Sequence, residues 1–254
     1  SAILPLAFAL IPLYALEVII STSTGGAMGI CSGFMAILSA PLNALTSVPG
    51  MFVLCGFAAL LWCFGIHGNM VLVSVILPMS IQAATANAAA YAAGGYDALV
   101  FYPIALYGSM AICGGTGNTL PLLIFGLKAK SEQIKAISKI ALIPGWFGIN
   151  EPVTFGMPIM YNPILCIPYV LNIFVVMLCT LIGYKVGFLV PGFVPIMTLM
   201  PMGFKSFLST LRWQNAIWDY LMIIPAGLVW YPFFKVYDNQ LYKKEQEALA
   251  AEAE

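Results

Sequence analysis

The sequence predicts an all-α polytopic membrane protein with re-entrant hairpins and interfacial amphipathic helices, and three observations predict it. Of 254 residues 61% are hydrophobic and only 8% charged, with a mean hydropathy of +0.96. Too few polar side chains exist to cover a water-soluble globule of this size, so lipid must be the main solvent. The apolar residues come in blocks long enough to cross a hydrocarbon core, which takes roughly 20 helical residues per span and leaves room for about five to seven spans. Finally, 17 prolines and 23 glycines interrupt those blocks, so the helices are kinked or discontinuous.

Apolar stretches run from Ile3 to Ile20, Val48 to Gly65, Met70 to Ala93, Phe101 to Leu127, Ile159 to Tyr184 and Ala216 to Phe234. Between them Ala27 to Ala40, Ile137 to Ile149 and Phe188 to Met202 are too short to span and rich in Gly or Pro. These pieces read as re-entrant hairpins or interfacial helices, because irregular backbone at membrane depth survives only where protein or a wet cavity satisfies it. Pro78, Pro103, Pro121, Pro144, Pro152, Pro158, Pro163 and Pro168 all fall within or beside apolar runs. Half-helix termini at such breaks offer free N–H and C=O groups to a solute. The stretch from Ile3 to Ile20 has no basic n-region and contains Glu17, so it is no signal peptide, and the start at Ser1 reads as a truncation.

Charge placement predicts orientation. Lys128, Lys130, Lys135 and Lys139 face the single acid Glu132 in one short region, and Lys235, Lys243 and Lys244 follow the last apolar stretch. Both regions are expected in the cytoplasm. The segment from Asn239 to Glu254 is polar, rich in Ala and Glu, and reads as a helical, solvated tail. Formal net charge is zero, and no basic stripe with interleaved aromatics points to nucleic acid. The six cysteines, Cys31, Cys55, Cys63, Cys113, Cys166 and Cys179, lack metal-site spacing and read as small buried hydrophobes, so no metal or cofactor is expected.

The sharpest motif is Asn150-Glu151-Pro152-Val153-Thr154-Phe155-Gly156, with a carboxylate between two hydrophobic stretches. A charge at membrane depth costs about 3 kcal/mol or more, and so usually faces a cavity or a functional partner. Pro152 disfavours helix at the residue before it and suits a first turn, which places Glu151 at a helix N-terminus. His67, the sole histidine, sits in Gly65-Ile66-His67-Gly68-Asn69. Its imidazole suits sugar hydroxyls or a proton relay, and equally an interfacial position. Gly114-Gly115-Thr116-Gly117-Asn118-Thr119 lacks the Lys-Ser/Thr of a nucleotide loop and reads as helix packing, with the threonines as a second reading of polar lining. Trp62, Trp146, Phe147 and Tyr161 flank the polar motifs, as sugar-stacking rings or as an interfacial belt. Asp97, Asp219, Glu17, Lys205 and Arg212 lie near segment ends, where snorkelling or interface placement accounts for them.

Taken together, His67-Gly68-Asn69, the glycine-rich Thr116/Thr119 segment and Asn150 to Gly156 resemble the membrane component, enzyme IIC, of bacterial sugar phosphotransferase systems, in the lactose, cellobiose and diacetylchitobiose branch. The resemblance implies a homodimer in the bacterial inner membrane, with residues 1–47 closing a scaffold region and an amphipathic connector, 48–238 a sugar transport domain, and 239–254 a cytoplasmic tail. It implies a disaccharide site with Glu151 as the catalytic or hydroxyl-orienting group and His67, Asn69, Asn150, Thr154, Trp62 and Trp146 as substrate-binding residues. A phosphorylated IIB protein would then donate phosphate to the sugar's 6-hydroxyl. Where a Trp-Thr-Thr-Pro-like stretch is expected, this chain has Pro195-Ile196-Met197-Thr198-Leu199-Met200-Pro201, which removes an aromatic platform. The competing readings are a proton-coupled secondary transporter working through Glu151 and His67, and a non-transporting remnant.

Overall fold

The computed structural model describes residues 12, 14–19, 21–23, 47–196 and 198–252, and the chain divides into two units, 1–47 and 48–254. In the first unit the described residues between 12 and 23 are helical. The rest of the Ile3 to Ile20 stretch, the piece from Ala27 to Ala40 and the predicted connector lie outside the described residues.

In the second unit, α1 (Val48–Cys63) buries Met51, Cys55, Ala58, Ala59, Trp62 and Cys63, a three-and-four spacing that makes one continuous face. Its 16 residues rise about 24 Å, short of a full span. The backbone of α2 (Gly68–Gly94) starts in direct contact with α1, since a Cβ on Gly68 would stand 2.1 Å from the Ala58 carbonyl oxygen. Two 3₁₀ segments follow, Gly95–Ala98 and Pro103–Ala111. The buried amide of Asn87 both donates to the Val100 carbonyl at 3.0 Å and accepts from its N–H at 2.9 Å, closing that connection.

The stretch from Phe101 to Leu127, continuous by composition, is not one helix. Gly114, Gly115, Gly117 and Asn118 all adopt positive φ, which breaks the chain into a turn before α3 (Leu120–Gly126). α3 and α4 (Glu132–Trp146) pack antiparallel: Gly126 abuts Ser138, and Gly145 abuts Leu123. After a second turn come α5 (Glu151–Gly156) and α6 (Pro163–Lys185), the latter capped by Asn162, whose Oδ1 accepts from the Ile164 N–H. The stretch from Phe188 to Met202, expected as a hairpin or interfacial helix, is irregular over its described residues: Pro191, Gly192, Pro195 and Pro201 deny it a helix. Its backbone groups bond instead to neighbours, Phe193 and Val194 N–H to the Ser209 carbonyl at 3.0 and 3.1 Å and Val190 to the Asn215 amide. α7 (Phe204–Thr210), α8 (Trp213–Leu221) and the long α9 (Ile223–Glu252) complete the unit.

Among the described residues three helical stretches, Gly68–Ala98, Pro163–Lys185 and Trp213–Ala251, are long and apolar enough to cross a membrane. α9 packs on α6 and α3 and holds the α3–α4 pair at both ends. At one end the buried Trp230 indole donates to the carbonyls of Gly117 and Asn118, at 3.2 and 3.1 Å. At the other, Asp238 accepts from the Lys130 and Ser131 N–H groups, and Glu245 accepts from Ser131 Oγ and the N–H groups of Glu132 and Gln133. Carboxylates at a helix N-terminus complement the free amides there by about 0.3–1 kcal/mol each. The segment after Asn239, read from sequence as a solvated tail, is thus helical and tied by Glu245 to the start of α4.

Replacing Gly68 by Ala should destabilise the protein by about 1–3 kcal/mol, because the added methyl overpacks against backbone that has no rotamer to yield. A lowered unfolding midpoint of the purified protein in detergent checks this; an unchanged midpoint contradicts the close crossing of α1 and α2.

Candidate functional site

The two broken segments meet. A Cβ on Gly115 would lie 2.6 Å from the Gly148 carbonyl oxygen and 2.9 Å from Asn150 Cβ, so the turn before α3 and the turn before α5 touch. Asn150, buried, fastens them by donating from Nδ2 to the Thr116 carbonyl at 2.8 Å and to Tyr169 Oη at 3.4 Å. Asn118 rigidifies the first turn from within, accepting from the Cys113 N–H at 3.1 Å and donating to the Ser109 carbonyl at 3.2 Å. Thr119 Oγ1 donates to the Gly114 carbonyl, and Thr116 and Thr119 are both buried. The segment is a turn and not the packed helix the sequence suggested.

From this platform Glu151 opens α5 with Pro152 in its first turn, as the sequence predicts. Its carboxylate is 46% exposed and faces His67, with Nε2 and Oε1 3.9 Å apart. His67 caps α2: its Nδ1 accepts the Met70 N–H at 3.2 Å. A neutral imidazole that accepts at Nδ1 carries its proton at Nε2, so the edge turned to Glu151 is a donor. Trp62, 3% exposed, backs the imidazole with ring centroids 4.1 Å apart. Its indole N–H has no hydrogen-bond partner among the described residues. The loop before α6 secures the other side of the His67 turn, through Tyr161 N–H to the Cys63 carbonyl at 2.9 Å and Tyr161 Oη to the Phe64 carbonyl at 2.7 Å.

The remaining sequence-predicted residues take supporting places. Asn69 accepts from the Tyr107 hydroxyl. Thr154, buried, donates its hydroxyl to the Asn150 carbonyl at 2.8 Å within α5. Trp146 is 41% exposed and donates to Tyr220 Oη at 3.4 Å; Tyr220 in turn donates to the Met202 carbonyl, whose residue's N–H bonds the Trp146 carbonyl. Sequence reasoning missed Tyr220, Tyr169 and Trp230, single aromatics with no motif around them. Asp219 does lie near the end of α8, as expected, but snorkelling does not describe it: it is 8% exposed and accepts from Ser206 Oγ at 2.6 Å.

A donor and an acceptor 3.9 Å apart are too far for a direct hydrogen bond. One hydroxyl oxygen fits between them, roughly 2.8 Å from each, accepting from His67 and donating to Glu151. The pair is therefore suited to grip and orient an alcohol.

The family model for "Phosphotransferase system, EIIC" matches residues 1–172. The lichenan permease IIC component of Bacillus subtilis (strain 168) is 34% identical over 215 residues, covering 83% of this chain and 47% of that protein. The lactose-specific EIICB component of Streptococcus mutans is 30% identical over 257 residues, covering 96% of this chain and 43% of that protein. Among solved structures, the transporter ChbC, the IIC component from the N,N'-diacetylchitobiose-specific phosphotransferase system, matches with a TM-score of 0.79 at 28% identity, over 97% of this chain and 57% of that one. The chain spans about half the length of the relatives it matches.

Asn150→Ala should cost about 1–3 kcal/mol by leaving the buried Thr116 carbonyl without its amide donor, and should lower ligand affinity as Glu151 loses its platform. Thermal unfolding and ligand binding measured on one preparation check both effects; loss of neither would mean that the two turns are held by something else.

Proposed function

Because the chain belongs to the EIIC family of phosphotransferase systems, we propose that it forms the sugar-transporting part of such a permease, binding a disaccharide in a membrane cavity and presenting its 6-hydroxyl to a phosphorylated IIB partner. The observation that carries this reading is the 3.9 Å gap between His67 Nε2 and Glu151 Oε1, open to solvent and sized for a hydroxyl. In-line phosphoryl transfer asks mainly that the attacking oxygen be positioned. Glu151 accepts the hydroxyl's hydrogen, turning an oxygen lone pair towards the phosphoryl donor and taking up the proton as the new O–P bond forms and the bond from phosphorus to the IIB side chain breaks, its electron pair leaving with IIB. His67 steers the same oxygen through its Nε2–H, a tautomer set by the helix cap. Trp62 keeps the imidazole plane in place from behind. No nucleotide is required, since the phosphoryl group comes from the IIB protein.

Relatives named for lichenan, oligo-β-mannoside, lactose and diacetylchitobiose support a disaccharide as ligand. The Lys-rich loop before α4 lies beside the lysine-bearing part of α9, where Lys130 Nζ donates to Asn239 Oδ1 at 2.8 Å. By the positive-inside tendency that region, with the chain's C-terminus, faces the cytoplasm, where IIB would act. The working unit is a homodimer in the bacterial cell membrane.

Purified protein titrated with cellobiose, lactose and diacetylchitobiose should bind one of them. Glu151→Gln should weaken binding about 10- to 100-fold, as befits a lost hydrogen bond to a charged group of about 1.5–3 kcal/mol, and His67→Ala by a smaller factor. With phosphorylated IIB added, the product should be the sugar phosphate, and Glu151→Gln should form it far more slowly. Delivery of unmodified sugar with a proton would overturn the reading in favour of secondary transport.

A further inference from the structure

Where α3 crosses α9, Gly227 lets the two helices come close: a Cβ there would stand 3.3 Å from the Phe125 ring. On the outside of that crossing, Ile124 and Phe125 of α3 and Ile224, Leu228 and Tyr231 of α9 line an open groove of about 380 Å³. All but Phe125 are exposed, and α9 is here part of a stretch apolar and long enough to cross a membrane. Hydrocarbon is therefore the medium that fills the groove.

One end of the groove is charged. The Phe125 and Tyr231 rings meet edge to face with centroids 5.4 Å apart, and a lysine follows each within about one helical turn. Lys128 donates its backbone N–H to the Phe125 carbonyl at 3.0 Å, and Lys235 lays its ammonium over the Tyr231 ring, 5.1 Å from the centroid. Just beyond, the bond from Lys130 to Asn239 keeps the two segments together. The acids nearby are engaged elsewhere: Asp238 and Glu245 accept from the amides at the start of α4, Glu132 pairs with Lys135, and Glu247 with Lys243. Lys128 and Lys235 are exposed, and among the described residues no ion pair joins either. A lysine that merely snorkels needs no groove beside it, and a groove that takes bulk lipid needs no cations at its mouth. Together they match a molecule with an acyl chain and an anionic head.

We propose that the groove between α3 and α9 binds an anionic phospholipid, with one acyl chain lying along Ile224, Leu228 and Tyr231 and the phosphate accepting from the ammonium groups of Lys128 and Lys235. The site depends neither on Glu151 nor on the identity of the sugar.

Native mass spectrometry of the full chain, purified in detergent and titrated with dioleoyl phosphatidylglycerol or dioleoyl phosphatidylcholine, tests it. One phosphatidylglycerol should be retained about 10- to 30-fold more tightly than phosphatidylcholine, the preference that two lysines confer at a membrane surface. Lys128→Gln combined with Lys235→Gln should abolish that preference. Leu228 is 73% exposed, so Leu228→Trp fills the groove without entering the core. It should weaken phosphatidylglycerol about tenfold with both lysines in place, by displacing the acyl chain from its contacts. Ile167→Trp, which fills the neighbouring groove between α6 and α9, should leave binding unchanged. Equal retention of the two lipids, a preference that survives loss of both lysines, or binding indifferent to Leu228→Trp would overturn the proposal. So would lysine substitutions that spare lipid binding and weaken capture of phosphorylated IIB instead, since the cations would then belong to a protein partner.

Discussion

Backbone that leaves a helix inside an apolar solvent must find its hydrogen bonds within the protein, and that requirement organises the rest of this structure. Gly114 to Thr119 and Phe147 to Asn150 are two such departures, and each would be untenable alone. The carbonyls of the first are satisfied by side chains: Thr119 from within the turn to Gly114, Asn150 from the second turn to Thr116, and Trp230 from α9 to Gly117 and Asn118. Once the turns are pinned, the first residue after the second turn is held at a fixed place, and that residue is Glu151. Its carboxylate is thus positioned by the solution to a solvation problem.

The same economy governs His67. Capping α2 consumes Nδ1, so the helix start dictates which nitrogen of the ring is left to donate. The Trp62 ring behind it and the Tyr161 bonds to Cys63 and Phe64 fix the turn in which it sits. The two site residues come from segments more than 80 positions apart, and each is held by its own set of local bonds.

Much of this was legible in the sequence. The Glu151-Pro152 pair announces a helix start because proline fits a first turn and disfavours helix before it, and the structure begins α5 there. The blocks at Met70 to Ala93 and Ile159 to Tyr184 return as α2 and α6, since length and hydrophobicity suffice to mark a span. The break inside Phe101 to Leu127 was not drawn from composition, although three glycines within four residues carried the signal. His67 as a cap escaped because histidine is no preferred capping residue and the bond depends on one backbone turn. Asp219 escaped for a different reason: whether a carboxyl near a segment end meets water depends on whether α8 folds back on α7, which is a tertiary fact. Likewise the expected loss of an aromatic platform at Pro195 to Pro201 rests on local sequence, whereas the pairing of Trp146 with Tyr220 joins residues 74 apart.

α9 touches the α3–α4 pair at both extremities, by the Trp230 indole at the turns and by Asp238 and Glu245 at the lysine loop. It acts as a strut laid alongside a two-legged frame. A frame braced at top and bottom cannot flex in the middle without tearing one of its fastenings. Any rearrangement that exposes the turns to opposite sides of a membrane must therefore carry α3, α4 and α9 together as one rigid piece, with the yielding placed in the connections that lead into and out of it.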